Sequence, residues 1–411
     1  MRLSSCNVSN EMSETSAATN PFAHLWTLDP SVDYLNHASF GACPRAVVAA
    51  QAELRVRMEK QPVDFLWREL SRRLDEARGA LAGFVGADPA GLVFVPNATF
   101  GVNSVVRSLD LEPGDELLTT DHVYAACKKT LLFVASKTGA RVVLARVPFP
   151  LAGEGDVVAA VLAAVTPKTR LALLDHVTSP TALVFPIQRL VAELAARGVD
   201  TLVDGAHALG MVPLDLGRFG AAYYTANAHK WLCAPKGAAF LHVRADRRTG
   251  LHPVVTSHGW DPEAPDARFR EEFDWTGTSD PTAVLSIPFC IEYLGGLLPG
   301  GWRSLMEKNR ELALRARGIL LERFGGKAAA PSAMVGSMAS VLLPSAAPGS
   351  PAFGLDRDAL SDWVRARGVE SWFHYAPPDG RMLVRASAQL YNDESQYVRL
   401  ADLLAEALGV G

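Results

Sequence analysis

The chain predicts an α/β protein: a large, mostly parallel sheet with helices on both faces, followed by a smaller α+β unit. Three observations carry that expectation. Short apolar runs alternate with helix-patterned stretches through the first two thirds of the sequence. The pattern changes register after Pro281. With 411 residues, the chain is long enough to build two cores.

Residues 1–20, MRLSSCNVSNEMSETSAATN, are polar and rich in Ser, Thr and Asn. They lack the apolar stretch of a secretory signal, and a single Arg argues against a transit peptide, so a disordered tail is expected. Helical spacing then recurs over 45–60 and 64–84, with Pro62 breaking the two apart. The strand-like runs are LVFV (92–95), ELLTT (116–120), RVVLARV (141–147), RLALLDHV (170–177), DTLVDGA (200–206), AAYYTA (221–226) and GAAFLHV (237–243). Helix-patterned pieces such as VNSVVRSL, DVVAAVLAAV and IQRLVAELAARG separate them. Beyond Pro281, helices are expected over about 281–296 and 301–324. SMASVLLP, the helix DRDALSDWVRARG, strands around VESWFHY and RMLVRAS, and a last helix begun near Asp393 come next. AAPGSPAFG (346–354) reads as a surface loop. The expected division is a tail at 1–20, an N-terminal segment at 21–44, a large domain at 45–298 and a small one at 299–411.

Composition narrows the function. Apolar content of 49%, charged content of 20% and a net charge of −4 suit a soluble enzyme and show no footprint for nucleic acid or an anionic membrane. No apolar run reaches membrane-spanning length. The five cysteines are scattered and never in CxxC spacing, which fits a reducing cytosol rather than a disulfide framework or zinc site. The ten histidines do not fall at ligand spacing either, so no metal is expected.

The most informative stretch runs from VDGAHALG to NAHKW. Asp204 ends one apolar run, and Lys230 follows 26 residues later at the end of another. Singly, such residues are helix caps and surface charges. Together they match what pyridoxal phosphate chemistry requires, a carboxylate for the pyridine nitrogen and a lysine for the Schiff base. Burial between apolar segments would lower the lysine's pKa and prepare it as a base. NATFGVNSVVRSL, directly after LVFV, offers a helix N-terminus at Asn97, Ala98 and Thr99 for a phosphate, without the Lys-Ser/Thr of a P-loop. In RMLVRASAQLYND, Arg385 ends an apolar strand and has the planar fork to grip a carboxylate.

YLNHASFGACP (34–44), NATFGVN, DHVYAA, VDGAHALG, NAHKW, WTGTSDP (275–281) and RASAQLYN, in that order, resemble the class V aminotransferase family of fold type I pyridoxal phosphate enzymes, nearest its isopenicillin N epimerase-like branch. The resemblance covers residue 30 to the C-terminus. It implies that Lys230 is the Schiff-base lysine, that Asp204 partners the pyridine nitrogen and that His207 approaches the phenolic oxygen. Ala98, Thr99, Asn227 and His229 would bind the phosphate. Thr278 would reach the neighbouring subunit's phosphate, making a homodimer with shared sites. Arg385 would hold the substrate carboxylate, and Asn36, His37, Phe40 and Gly41 would form part of the substrate wall. Tyr124 or His122 would stack on the ring, with Tyr124 favoured.

No Cys occurs after Cys290, so a desulfurase persulfide mechanism lacks its acceptor. The leading expectation is an epimerase- or racemase-like enzyme acting at the α-carbon of an amino acid or aminoacyl compound. A carbon–sulfur β-lyase of specialised metabolism is the alternative, then a transaminase. A non-catalytic ligand sensor is disfavoured because no helix-turn-helix segment precedes residue 30. Candidates for a second acid are Tyr124, His374, Tyr375 and Cys43, with Tyr375 also expected beside the substrate.

Overall fold

In the computed structural model, residues 20–261, 263–264 and 268–410 are described. The expected tail lies outside them except for Asn20, whose side-chain amide donates to the Leu390 and Asn392 carbonyls at 2.9 and 2.8 Å. Twelve strands occur among the described residues: β1 (Asp33–Tyr34), β2 (Leu92–Val95), β3 (Glu116–Thr120), β4 (Arg141–Ala145), β5 (Thr169–Asp175), β6 (Asp200–Asp204), β7 (Tyr223–Asn227), β8 (Ala239–Val243), β9 (Met338–Leu342), β10 (Val369–Glu370), β11 (Trp372–Tyr375) and β12 (Met382–Ser387).

The large sheet has seven strands in the order β2-β8-β7-β6-β5-β3-β4. Pairing is parallel from β7 through β4, while β8 runs antiparallel to both neighbours. Strands β2, β3, β7 and β8 are buried along their whole length, because helices cover both faces and leave no room for polar alternation. The edge strand β4 is partly open. Each parallel crossover returns through a helix, so strand C-termini gather at one edge, where Asp175, Asp204 and Asn227 end their strands.

The helix Ala98–Arg107 follows β2 and is capped by the Asn97 side chain, which accepts the Phe100 N–H. It lies tightly on β7: a Cβ at Gly101 would stand 2.3 Å from Thr225 Oγ1. In the C-terminal part, β11-β12-β9 form an antiparallel sheet backed by the helices Gly301–Phe324 and Glu394–Leu408. Asp393 caps the last helix in a capping box with Gln396. Its core gathers Leu320, Val341, Leu360, Val384, Tyr397 and Leu404, and takes in Leu35 from the N-terminal segment. That segment crosses to this unit because β1 pairs in parallel with β10.

Candidate active site

Lys230 follows β7 on a tight loop closed by the Cys233 N–H bond to the Lys230 carbonyl. Part of its surface opens to the pocket, but its amine lies deep. Burial first, then the Arg385 charge, brings its pKa down to about 8. Its Nζ lies 3.1 Å from His207 Nε2. The Trp231 indole N–H donates to His207 Nδ1 over a long 3.5 Å, which leaves the imidazole proton on Nε2, facing the lysine amine. Burial and the two nearby cations hold His207 neutral.

Asp204 ends β6 and is buried. Its Oδ1 accepts the Ala206 N–H at 2.9 Å and its Oδ2 the Cys127 S–H at 3.2 Å. Arg385, on β12, is wholly buried and forms no ion pair among the described residues. Its Nη1 donates to the Ser179 carbonyl at 2.6 Å, and its Nη2 reaches Asn36 Oδ1 at 3.3 Å and Ser39 Oγ at 3.2 Å. Its Nε has no partner. Burial lowers its pKa to about 10. A buried guanidinium held only by neutral acceptors is prepared for an anion from outside. Tyr124 caps the helix Ala125–Thr138 and is 43% exposed. Burial, with Cys127 and Asp204 adding to it, raises the phenol's pKa, and Arg385 opposes.

Several expected residues take other places. Ala98 N–H is already satisfied by Asn227 Oδ1 at 2.8 Å, so these two hold each other, and the donors left at that helix N-terminus are on Thr99. His229 donates Nδ1–H to the Ala238 carbonyl at 2.9 Å, and burial with Lys230 beside it lowers its pKa to about 4. A phosphate at its Nε2 would therefore have to bring a proton to that nitrogen. His37 is no wall residue. It is buried behind the lysine, donating Nε2–H to the Lys230 carbonyl at 3.1 Å and accepting Tyr391 O–H at 2.9 Å on Nδ1. Phe40 is 71% exposed and lines an outer cavity of about 620 Å³ with Tyr34, Cys43 and Lys236.

Gly41, at φ +60°, presses on the lysine loop, where a Cβ would stand 2.3 Å from the His229 carbonyl oxygen. His122, the less favoured of the two stacking candidates, is fully buried: it bonds Thr181 Oγ1 at 2.7 Å and packs against Phe149 and Phe185. Tyr375 pairs with Met382, three residues along β12 from Arg385 and so about 10 Å away. Its hydroxyl accepts the Arg357 N–H instead. Trp372 is the residue opposite Arg385, its ring 6.0 Å from the guanidinium carbon. Thr278 is exposed on the segment before Asp280, whose carboxylate pairs with Arg55 at 2.8 Å. Sequence reasoning passed over Asp175, Cys127, Ser179 and Tyr391, because each gains its partner only when distant segments meet.

The residues fit a pyridoxal phosphate group on their own chemistry: a deprotonable buried lysine, a buried carboxylate at a strand end and a helix N-terminus at Thr99 whose N–H has no partner among the described residues. No cluster of three or more metal-ligating side chains exists among the described residues.

Comparison with known proteins agrees. Residues 34–396 match the family described as Aminotransferase class-V. An isopenicillin N epimerase of Amycolatopsis lactamdurans is 38% identical over 92% of this chain and 96% of its own, and that of Streptomyces clavuligerus 35% over 93% and 96%. A putative L-cysteine desulfhydrase of Oryza sativa is 31% identical over 93% of this chain and 84% of its own. Among solved structures, the cystine C-S lyase C-DES in complex with cysteine persulfide superposes with a TM-score of 0.79 at 22% identity, covering 92% of this chain and 98% of that one. The chain belongs to the class V aminotransferase family and is a pyridoxal 5'-phosphate-dependent enzyme of that fold.

Proposed function

We propose that this enzyme inverts or exchanges the α-centre of an amino acid or aminoacyl compound. The observation that carries it is that Arg385, with no ion-pair partner among the described residues, lies close enough to act on both Lys230, its pKa lowered to about 8, and the Tyr124 phenol. When bound, the cofactor supplies an electron sink for the α-carbanion. Arg385 holds the substrate carboxylate with the N–H groups its neutral partners satisfy weakly. The Lys230 amine takes the α-proton on its free lone pair, with His207, 3.1 Å away, bounding the space in which the amine swings.

Inversion needs a proton returned from the other side by a group still protonated near neutrality. Tyr124 answers that need best. Its hydroxyl is partly open, its pKa is raised, and Asp204 and Arg385 both bear on it. The other candidates are committed elsewhere: Cys43 S–H to the Ala234 carbonyl, Tyr375 to Arg357, and His374 to the Tyr375 main chain. A carbon–sulfur lyase is the second reading, supported by the desulfhydrase relatives.

Proton NMR in deuterated water, with a panel of amino acids and thioether conjugates, tests the proposal. Loss of the α-proton signal with substrate otherwise intact is expected. Release of pyruvate, ammonia or thiol would make it a lyase. Tyr124→Phe should keep α-proton exchange through Lys230 but lose inversion by about 100-fold or more, the usual worth of a general acid.

A homodimer with shared sites belongs to this reading. Val56, Val63 and Trp67 (77% exposed) are exposed apolar side chains on the N-terminal helical stretch, and Thr278 is exposed as well, so all are free to meet a second copy. We place the enzyme in a reducing cytosol and in specialised metabolism. The four described cysteines are free, and the epimerase relatives support the second placement. Among the described residues, no helix is long and apolar enough to cross a membrane.

A further inference from the structure

Beside Asp204, a second buried carboxyl lies at the C-terminal edge of the sheet. Asp175 ends β5 and is the register partner of Asp204 at the end of β6, so the two side chains stand on adjacent parallel strands about 4.8 Å apart. Both are buried. Their surroundings differ. Each Asp204 oxygen receives a donor, from the Ala206 N–H at 2.9 Å and the Cys127 S–H at 3.2 Å. Asp175 receives one long bond, from the Tyr124 N–H to Oδ1 at 3.3 Å, and its Oδ2 is buried with no partner. The titratable groups facing Asp175 are Asp204 on β6, Cys127 on the helix Ala125–Thr138 and Lys230 on the loop after β7.

We propose that Asp175 and Asp204 form a carboxyl pair with one negative charge, in which Asp175 keeps the proton and Asp204 the charge. Asp175 is then a positioning residue that fixes the charge offered to the cofactor's ring nitrogen. Two carboxylates this close and this dry cannot both ionise, and the charge settles where the donors are. An anionic oxygen with no donor is costly in a buried place, and a neutral acid there costs far less. Burial pushes Asp175 well above the usual carboxylate range, with Asp204 next. Asp204 is raised by burial too, but the Ala206 N–H, Cys127 and Lys230 all oppose that. The arrangement matches one anion to one protonated ring nitrogen, where a second anion would be in excess.

The role toward the ring rests on the pyridoxal phosphate reading; the protonation of Asp175 does not, and the test separates them. On the cofactor-free chain at neutral pH, infrared spectra should show the C=O stretch of a buried protonated carboxyl, and Asp175→Asn should remove it. In Asp204→Asn the band should persist at low pH and titrate away at a lower pH than in the parent, because the neighbouring charge is gone. A parent spectrum without the band, or a band surviving in Asp175→Asn, overturns the pairing. On the loaded protein, Asp175→Asn should hold cofactor within about threefold of the parent, with its visible spectrum kept at neutral pH, while Asp204→Asn should weaken it at least about tenfold. Equal weakening in both variants overturns the division of roles. A parent chain that never takes up the cofactor would instead refute the cofactor reading and leave the infrared result standing.

Discussion

Burying an ammonium costs free energy, and Lys230 bears that cost visibly. Folded, it gives up its proton near pH 8; unfolded, near 10.5. Between those values the unfolded chain binds more protons than the native one, so stability contributed through this group rises with pH from about 8 to 10.5. Below that window both states are protonated, and the native state carries the whole penalty. Lys230→Met should therefore stabilise the cofactor-free protein at neutral pH by up to about 3 kcal/mol and flatten this rise, as urea unfolding at neutral and alkaline pH would show. Arg385 is a different case. A lysine in its place cannot reach the Ser179 carbonyl and the Asn36 and Ser39 oxygens together. Arg385→Lys should raise KM for the amino acid about tenfold or more while leaving cofactor affinity unchanged. An equal loss of cofactor would make Arg385 a structural residue.

At the scale of elements, the strands were largely legible. The apolar runs at 92–95 and 116–120 are strands end to end, and the others differ from β4 to β8 by one or two residues at their ends. Dense apolar runs bounded by turn residues leave few other ways to bury themselves. Two features escaped. VESWFHY divides between β10 and β11, which join different sheets, and nothing local to seven residues tells one pairing partner from another. The expected helix over 64–84 opens with a π-helical turn, Asp64–Glu69, before the α-helix Leu70–Val85.

In the site, Asp204 and Lys230 could be read because their chemistry is written in their own segments. Asp175 could not, because its meaning comes from the β5–β6 register, and His122 stayed open beside the favoured Tyr124 because its contacts, Thr181 and Phe185, come from a distant loop. The close packing of Gly41 on the lysine loop gives an element-scale prediction. Gly41→Ala should strain the φ +60° turn and push the loop at His229, costing about 1–3 kcal/mol, with a matching fall in cofactor affinity by equilibrium dialysis.

For the whole molecule, the proposed homodimer would cover the exposed apolar side chains of Val56, Val63 and Trp67. Light scattering should give the mass of two subunits, and Trp67→Glu should shift it toward one and weaken cofactor binding, since Thr278 would then have no neighbouring pocket to complete. A native monomer with full cofactor affinity would refute the shared-site arrangement.

The N-terminal segment has a consequence for how the enzyme is made. It is anchored at Asn20, and Asn36 meets Glu370 from 334 residues away. At ribosomal speeds of about 5–20 residues per second, the strap waits roughly 15 to 70 s for the strand it will join. Through that interval Arg385 has not been synthesised, whereas the lysine loop on which Gly41 packs is completed within it. The nascent chain thus builds its lysine-bearing sheet first and completes the surroundings of Arg385 only at the end of synthesis, so an abandoned, half-made chain would lack the carboxylate grip proposed for that residue.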